Sequence, residues 1–188
     1  MILEWNTAHY KDRPSLSWKN GKLEGIKIIK PDVFEDYRGR YIETYDTASY
    51  RQILGDVTFV QDDVSISRKG VLRGLHGNTK TAKLISVLHG SIYALIADNR
   101  PDSPTYKQWE AYTVTANNRI QLYVPAGIGN SMLALEDDIV YHYKQTTHFE
   151  PGTQFTIKWN DPEWKFWWPI SNPILSQRDF YGDYVKGE

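Results

Sequence analysis

The sequence predicts an all-β protein, most simply a jelly roll with a few short helices. Short runs rich in Val, Ile, Tyr and Thr recur along the chain, and many alternate apolar with polar side chains. Gly, Pro, Asp and Asn separate these runs, which is typical of tight turns between strands. Because other antiparallel sandwiches and barrels share this periodicity, it does not by itself single out the jelly roll.

The individual elements follow in chain order. The predicted strands include GIKIIK, RYIETY, VTFVQDDVSIS, AKLISVLHG, SIYALIAD, QWEAYTVT, RIQLYVPAG, DIVYHYKQT and TQFTIKW. TASYRQIL (47–54) predicts an interior helix, and SQRDFYGDYV (176–185) predicts one near the C-terminus. The segments HGS (89–91) and TANNR (115–119) predict hairpin turns. The aromatic stretch WNDPEWKFWWP predicts core or subunit packing rather than a ligand site.

The 188 residues are most simply one domain. We expect that domain to span residues 23–188. Residues 1–22 are polar and contain Pro14, so they predict an N-terminal extension or arm.

Composition excludes several classes of partner. With 22 Lys and Arg against 23 Asp and Glu, no net field favours nucleic acid or an anionic membrane, although a local basic cluster can still hold a phosphate. No apolar run approaches the roughly 18 residues that a membrane span needs. Cysteine is absent, which excludes disulfides and a thiol nucleophile. A cytoplasmic location is therefore predicted, and the first residues lack the pattern of a signal peptide.

The histidines raise the question of a metal. A metal-binding cupin jelly roll places His-x-His at a strand end and another His after a Pro-x-Gly segment. Here HGN gives His76 but Asn78, and PAGIGN gives Asn130, so no metal site is predicted. A lone His near a strand end is more often a packing residue. If Arg73 and Lys83 converge with it, however, the three form an anion site beside a titratable base.

Several segments, in order, resemble the dTDP-4-dehydrorhamnose 3,5-epimerase family. They are FEDYRGRYIET, FVQDDVSIS, GVLRGLH, AKLISVLHGSIYALIADNRPDSPTYKQW, VPAGIGNSM, YKQT, WNDP and PILSQRD. The resemblance covers residues 24 to 180. It implies a cupin-type jelly roll (a double-stranded β-helix) that works without metal or another cofactor, and it implies a homodimer.

The resemblance also implies a catalytic set. The histidine of R-G-L-H, His76, is expected to be the base, and Asp179 is expected to orient its ring and raise its pKa. Tyr143 is expected to act as the acid on the opposite face of the sugar. Lys83 is expected near the C4 oxygen, where an ammonium group stabilises the enolate.

Further positions correspond to substrate contacts. Arg38 and Arg73 match the arginines that hold the nucleotide diphosphate, because a planar guanidinium suits phosphate oxygens. Glu43 and Gln61 match polar contacts to the nucleotide or sugar.

Departures from the family pattern cluster where the sugar and nucleotide are expected. Asn130 replaces a common His, Asp63 replaces a common Asn, and Asn78 and His148 also differ from the usual residues. An amide forms hydrogen bonds but carries no proton at neutral pH. These changes leave the base and acid in place and bear on which sugar fits.

The predicted function is epimerisation at C3, at C5 or at both carbons of a nucleotide-linked 4-keto-6-deoxy sugar. A GDP-linked 6-deoxy-heptose is one candidate substrate besides a dTDP-linked hexose. The alternatives are a cupin 3,4-ketoisomerase, against which Asn78 argues, and a non-catalytic nucleotide-sugar-binding cupin.

Overall fold

The structure is a computed structural model that describes residues 16–182. Its strands are β1 (Ser17–Asn20), β2 (Lys27–Lys30), β3 (Phe34–Asp36), β4 (Gly39–Tyr41), β5 (Gln61–Ser67), β6 (Leu72–Gly77), β7 (Lys83–His89), β8 (Ser91–Asp98), β9 (Trp109–Thr115), β10 (Gln121–Val124), β11 (Ile128–Ala134), β12 (Ile139–Gln145) and β13 (Phe155–Thr156). The helices are α1 (Thr47–Leu54) and α2 (Gln177–Tyr181). The all-β prediction is confirmed.

Two antiparallel sheets form the body. One has the order β1-β2-β10-β7-β12-β5, and the other has the order β13-β6-β11-β8-β9. Apolar side chains from both sheets meet between them in the main core, which includes Ile85 of β7, Ile96 of β8 and Met132 of β11. Alternate residues of each strand face this interior. Polar side chains at the same alternating positions therefore also face the space between the sheets.

The two predicted hairpin turns connect strands that belong to different sheets. The HGS turn joins β7 to β8, and the TANNR turn joins β9 to β10. Each turn crosses from one sheet to the other, so the strands that it connects do not pair. The prediction of hairpins was wrong because a turn sequence fixes the reversal of the chain but not the hydrogen-bonding partner of each strand. Repeated crossing between the sheets is what makes the sandwich a jelly roll.

Both predicted helices are present. Helix α1 has the predicted bounds, and its N-cap Asp46 accepts hydrogen bonds from the N–H groups of Ala48 and Ser49. Its Tyr50 packs with Ile29 on the outer face of the six-stranded sheet. Helix α2 forms the first part of the predicted C-terminal helix, and residues 183–185 of that prediction lie outside the described residues.

The first described strand and the aromatic stretch near residue 165 cover an edge and a face of the sheets. Of the predicted N-terminal arm, residues 1–15 lie outside the described residues, and β1 is an edge strand paired with β2. The aromatic stretch predicted to be packing covers the outer face of the five-stranded sheet, where Trp164, Phe166 and Trp168 pack with Leu75. RYIETY is a strand only at its start, in the β3–β4 ribbon.

Candidate active site

A bulge in β6 brings two predicted site residues to the same face. His76 lies opposite Asn130, and Arg73 lies opposite Met132, so two residues of β6 between these pairs oppose one of β11. Gly74 makes this possible: its φ is 121°, and a Cβ there would lie 2.6 Å from the carbonyl oxygen of Asn130. Without the bulge, residues three apart would face opposite sides of the sheet. With it, Arg73 and His76 both face the interior.

His76 is paired with a buried carboxylate. Its Nε2 lies 2.6 Å from Oδ1 of Asp179, which is 3% exposed. Asp179 also accepts hydrogen bonds from Ser176 Oγ at 2.9 Å and from the Gly74 N–H at 3.3 Å. Burial raises the pKa of Asp179, but the hydrogen bonds from His76, Ser176 and Gly74 outweigh it and hold that pKa below its usual value. A carboxylate only accepts, so the Nε2–H donates and Nδ1 keeps the lone pair.

The pKa of His76 lies below its usual value, although Asp179 raises it as the sequence predicts. Burial lowers it, and this effect outweighs the hydrogen bond and charge of Asp179, which raise it. The nearby cations Arg178 and Lys83 lower it further. Asp179 thus acts in the expected direction, while burial, which cannot be read from the motif, decides the net change in pKa. The result is an imidazole that is neutral at physiological pH, which suits a base.

Lys83 and Tyr143 lie together on the six-stranded sheet. Lys83 opens β7 and is 8% exposed, and its Nζ lies 5.0 Å from the centroid of the Tyr143 ring on β12. Burial and the charge of Arg178 lower the pKa of Lys83 to about 8. Burial and the charge of Asp63 raise the pKa of Tyr143, so its hydroxyl keeps its proton at neutral pH.

A polar wall on β5 supports this pair. Asp63 accepts hydrogen bonds from Gln61 Nε2 at 2.9 Å and from Gln145 Nε2 at 2.8 Å. Its charge acts on both Lys83 and Tyr143. Gln61 Oε1 accepts from the Phe149 N–H at 2.8 Å, which ties the loop after β12 to the same strand. Two of the predicted substrate contacts, Gln61 and Asp63, therefore lie beside the catalytic candidates.

The remaining departures from the family pattern occupy three different environments. Asn130 is buried opposite His76, and its Nδ2 donates to Tyr141 Oη at 3.4 Å. The amide of Asn78 instead serves the local loop, because its Nδ2 donates to Thr153 Oγ1 at 3.0 Å. His148 lies exposed in the loop after β12.

Two predicted substrate residues are not brought to this cluster within residues 16–182. Arg38 lies on the β3–β4 ribbon, where it forms an ion pair with Asp36 and lies over the Tyr37 ring at 5.8 Å. Glu43 is next to Thr44, whose carbonyl accepts from Gln121 Nε2 on the outer side of the six-stranded sheet. A role for Arg38 and Glu43 in binding the substrate stays a prediction.

Sequence reasoning missed Arg178. Its charge lowers the pKa of both His76 and Lys83, so it belongs to the same cluster. Its Nε donates to Thr156 Oγ1 at 2.9 Å, and its Nη1 donates to Gln154 Oε1 at 3.1 Å. The available signal was its position directly before Asp179 in PILSQRD.

Between residues 16 and 182 the structure has neither a candidate membrane-spanning helix nor a candidate metal cluster. No helix between residues 16 and 182 is long and apolar enough to cross a membrane. In the same range, no three His, Asp or Glu side chains gather closely enough to hold a metal ion.

A jelly roll whose interior presents a His–Asp pair, a buried lysine and a tyrosine defines the class of cupin-type epimerases. The family model "dTDP-4-dehydrorhamnose 3,5-epimerase" matches residues 20–186, and the chain belongs to this family. The predicted family, fold and enzyme class, an isomerase of the epimerase type, are confirmed.

Individual relatives agree with this assignment. The chain is 39% identical to a dTDP-4-dehydrorhamnose 3,5-epimerase of Neisseria gonorrhoeae over 85% of its length, but it spans only 50% of that relative. It is 36% identical to the corresponding epimerase of Salmonella typhimurium, covering 84% of this chain and 88% of that one.

Solved structures show the same fold. The dTDP-6-deoxy-D-glucose-3,5-epimerase of Legionella pneumophila, in complex with dTDP-4-keto-L-rhamnose, matches with a TM-score of 0.85 at 33% identity over 90% of this chain and 92% of that one. A 3′-monoepimerase of Streptomyces bikiniensis, in complex with dTDP-quinovose, matches with a TM-score of 0.83 at 30% identity, covering 87% and 85%.

Proposed function

We propose that this protein epimerises a nucleotide-linked 4-keto-6-deoxy sugar by removing and replacing a proton on a carbon next to the C4 ketone. The observation that carries the proposal is the His76–Asp179 pair, whose 2.6 Å hydrogen bond holds Nε2 and leaves the Nδ1 lone pair available. The names of the relatives, epimerases of such sugars, support the substrate class.

Proton removal from C3 or C5 needs a base and stabilisation of the negative charge that develops on the C4 oxygen. His76 is the proposed base, and Asp179 stabilises the imidazolium that forms. Lys83 is the proposed partner of the enolate oxygen. Its ammonium group is buried, so its interaction with a developing charge is stronger than it would be in water.

Inversion requires the new proton to arrive on the other face of the sugar. Tyr143 is the proposed acid, because it lies on the opposite sheet from His76 and is protonated at neutral pH. A substrate ring held between β6 and β12 would then present one face to each residue. Lys83 lies next to Tyr143, so the ketone oxygen would point toward β7.

The choice of sugar and nucleotide remains part of the proposal. The ligand of the Legionella relative favours a dTDP-linked sugar, and a GDP-linked 6-deoxy-heptose stays a predicted alternative. Inversion at C3, at C5 or at both carbons is also open, because relatives that invert two carbons and one described as a 3′-monoepimerase share this fold.

Deuterium exchange tests the function directly. We expect that incubation with a dTDP-linked 4-keto-6-deoxy hexose in heavy water replaces hydrogen at C3, at C5 or at both, as followed by NMR. A GDP-linked 4-keto-6-deoxy heptose in a parallel reaction distinguishes between the two candidate substrates. His76→Asn should abolish exchange, and exchange that persists in this variant would refute the assignment of the base. No exchange with either sugar would favour a binding protein without catalytic activity.

We also infer that two copies associate through the outer face of the six-stranded sheet. Val64 and Ile66 of β5 and Leu88 of β7 expose 58%, 67% and 48% of their surface there. Apolar side chains gathered on one sheet face are typical of an interface. Light scattering should give a dimer mass for the wild type and a monomer mass for Ile66→Lys; a monomeric wild type would refute the inference.

A cytoplasmic location remains a prediction, supported by the cysteine-free composition.

A further inference from the structure

Helix α2 delivers two opposite charges to the site from consecutive residues. Asp179 contacts β6 through His76 and the Gly74 N–H. Arg178 contacts the neighbouring strand β13 through Thr156 Oγ1 at 2.9 Å. Thr156 lies directly opposite His76 in the pairing of β13 with β6. Helix α2 is therefore attached both to β6, which carries His76, and to the neighbouring strand β13.

We propose that Arg178 is a positioning residue that fixes α2 against β13, so that Asp179 reaches His76, and that places a positive charge beside both His76 and Lys83. The role deepens the proposed function and rests on it, because it concerns the residues assigned there to proton transfer.

The attachment is specific to the shape of the guanidinium group. Nε and Nη1 donate to two different side chains, Thr156 of β13 at 2.9 Å and Gln154, directly before β13, at 3.1 Å. The planar guanidinium makes these hydrogen bonds from two nitrogens at a fixed separation, which the single Nζ of a lysine does not offer.

The charge acts on a small set of groups. His76 faces Asp179 and Arg178 from α2 and Lys83 from β7. Lys83 faces Arg178 from α2 and Asp63 from β5, and its ammonium group lies over the Tyr143 ring of β12. Arg178 is the cation common to both sets. It opposes protonation of His76 and of Lys83, and so adds to burial, which is the main cause of the lowered pKa of each.

Removing this cation should move both limbs of the pH profile in the same direction. In Arg178→Gln, the pKa of His76 rises, so the acid limb of kcat/KM moves to higher pH. The pKa of Lys83 also rises, so the basic limb moves to higher pH. A shift of about half a pH unit lowers the rate on the acid limb about threefold and raises it on the basic limb. A purely structural loss would instead lower the plateau without this displacement.

The His76 titration can be measured without turnover. Histidine labelled with ¹⁵N is titrated by NMR in the wild type, in Arg178→Gln and in Arg178→Lys, and His76→Asn assigns the signal. Both variants lose the hydrogen bonds to Thr156 and Gln154, so the difference between them isolates the charge. We expect His76 to titrate at a higher pH in Arg178→Gln than in Arg178→Lys, which keeps the positive charge. Arg178→Lys should still lose activity, because the two hydrogen bonds to β13 are lost. Arg51→Gln on α1, which removes a surface ion pair with Asp56, is the matched control and should change neither the His76 titration nor the activity.

The outcomes separate the proposal from the function on which it rests. A His76 titration in Arg178→Gln at the same pH as in Arg178→Lys, or at a lower pH, would show that charge is not responsible and would overturn the electrostatic role. Absence of deuterium exchange by the wild type would refute the proposed function, while the NMR titration would still report on Arg178. If Arg178→Gln does not fold, Arg178→Lys with wild-type activity would overturn the positioning role.

Discussion

Replacing Asp179 by Asn should reduce turnover by a predictable amount, because the structure fixes which way the new amide points. Oδ1 of Asp179 accepts from His76 Nε2 and from the Gly74 N–H, so an amide oxygen is favoured at that position. The amide nitrogen then replaces Oδ2 and faces Ser176 Oγ, which can accept. The variant keeps the tautomer of His76 and removes only the negative charge.

The size of the expected loss in kcat/KM follows from the role of the negative charge on Asp179. A hydrogen bond to a charged group contributes about 1.5–3 kcal/mol, and most of this is needed only when the imidazolium forms. Its loss corresponds to roughly a 10- to 150-fold lower kcat/KM. If the amide instead turned its nitrogen toward His76, the proton would move to Nδ1. The loss would then be on the order of 10⁴-fold, as found when a catalytic histidine is held in the wrong tautomer.

The assay is deuterium exchange into the sugar, measured as a function of pH. Asp179 raises the pKa of His76, so its neutralisation lowers that pKa and moves the acid limb to lower pH. A loss of less than about twofold, or an acid limb that moves to higher pH, would refute the reasoning. Circular dichroism of the variant provides the control for folding.

Three other substitutions test the site and the fold. Tyr143→Phe should leave proton removal by His76 measurable as exchange but lower net inversion by about 10²-fold or more, and unchanged inversion would exclude Tyr143 as the acid. Gly74→Ala should destabilise the fold by about 3 kcal/mol, because φ is 121° and the new Cβ would meet Asn130 O at 2.6 Å. Its control, Gly39→Ala, has a similar φ of 123° with no atom within 4 Å, and should cost less, about 1–2 kcal/mol; equal losses in thermal melts would contradict the role of the close contact. Asp98 is fully buried and forms an ion pair with Arg100. Burial raises the pKa of Asp98, but hydrogen bonds from Arg100 and Ser103 outweigh it, so the pKa in the folded state is depressed. Asp98→Ala should therefore cost about 3 kcal/mol near neutral pH, with a smaller difference from wild type as pH falls below about 4; a difference independent of pH would contradict this.

The sequence was sufficient for the fold class and for most elements. Alternating residues predict the strands because each strand has one face toward the core. The bounds of α1 were predictable because Asp46 caps it and its apolar residues face one side. The pairing of strands was not predictable from the turns, as the HGS and TANNR segments show. Whether a strand continues in the same sheet depends on residues far away in the chain.

The site was predictable as a set of residues but not as a geometry. Family motifs named His76, Asp179, Lys83 and Tyr143, which are up to about a hundred residues apart. They did not reveal the bulge at Gly74, because a bulge depends on pairing between two strands. They predicted that Asp179 raises the pKa of His76, but not the direction of the net change. Burial decided that direction, and burial is a property of the assembled core.

The bulge and helix α2 together explain how His76 is placed and paired to act as a base. Gly74 turns His76 to the same face as Arg73 and also donates its N–H to Asp179, so one residue sets both the direction and the partner of the ring. Helix α2 then supplies charges of opposite sign from adjacent positions. Asp179 favours the protonated ring and Arg178 opposes it, so His76 can be neutral before the reaction and still be stabilised once it has accepted a proton. Because neutralising the two charges displaces the acid limb in opposite directions, electrostatic control of the base is distinguishable from any general loss of structure.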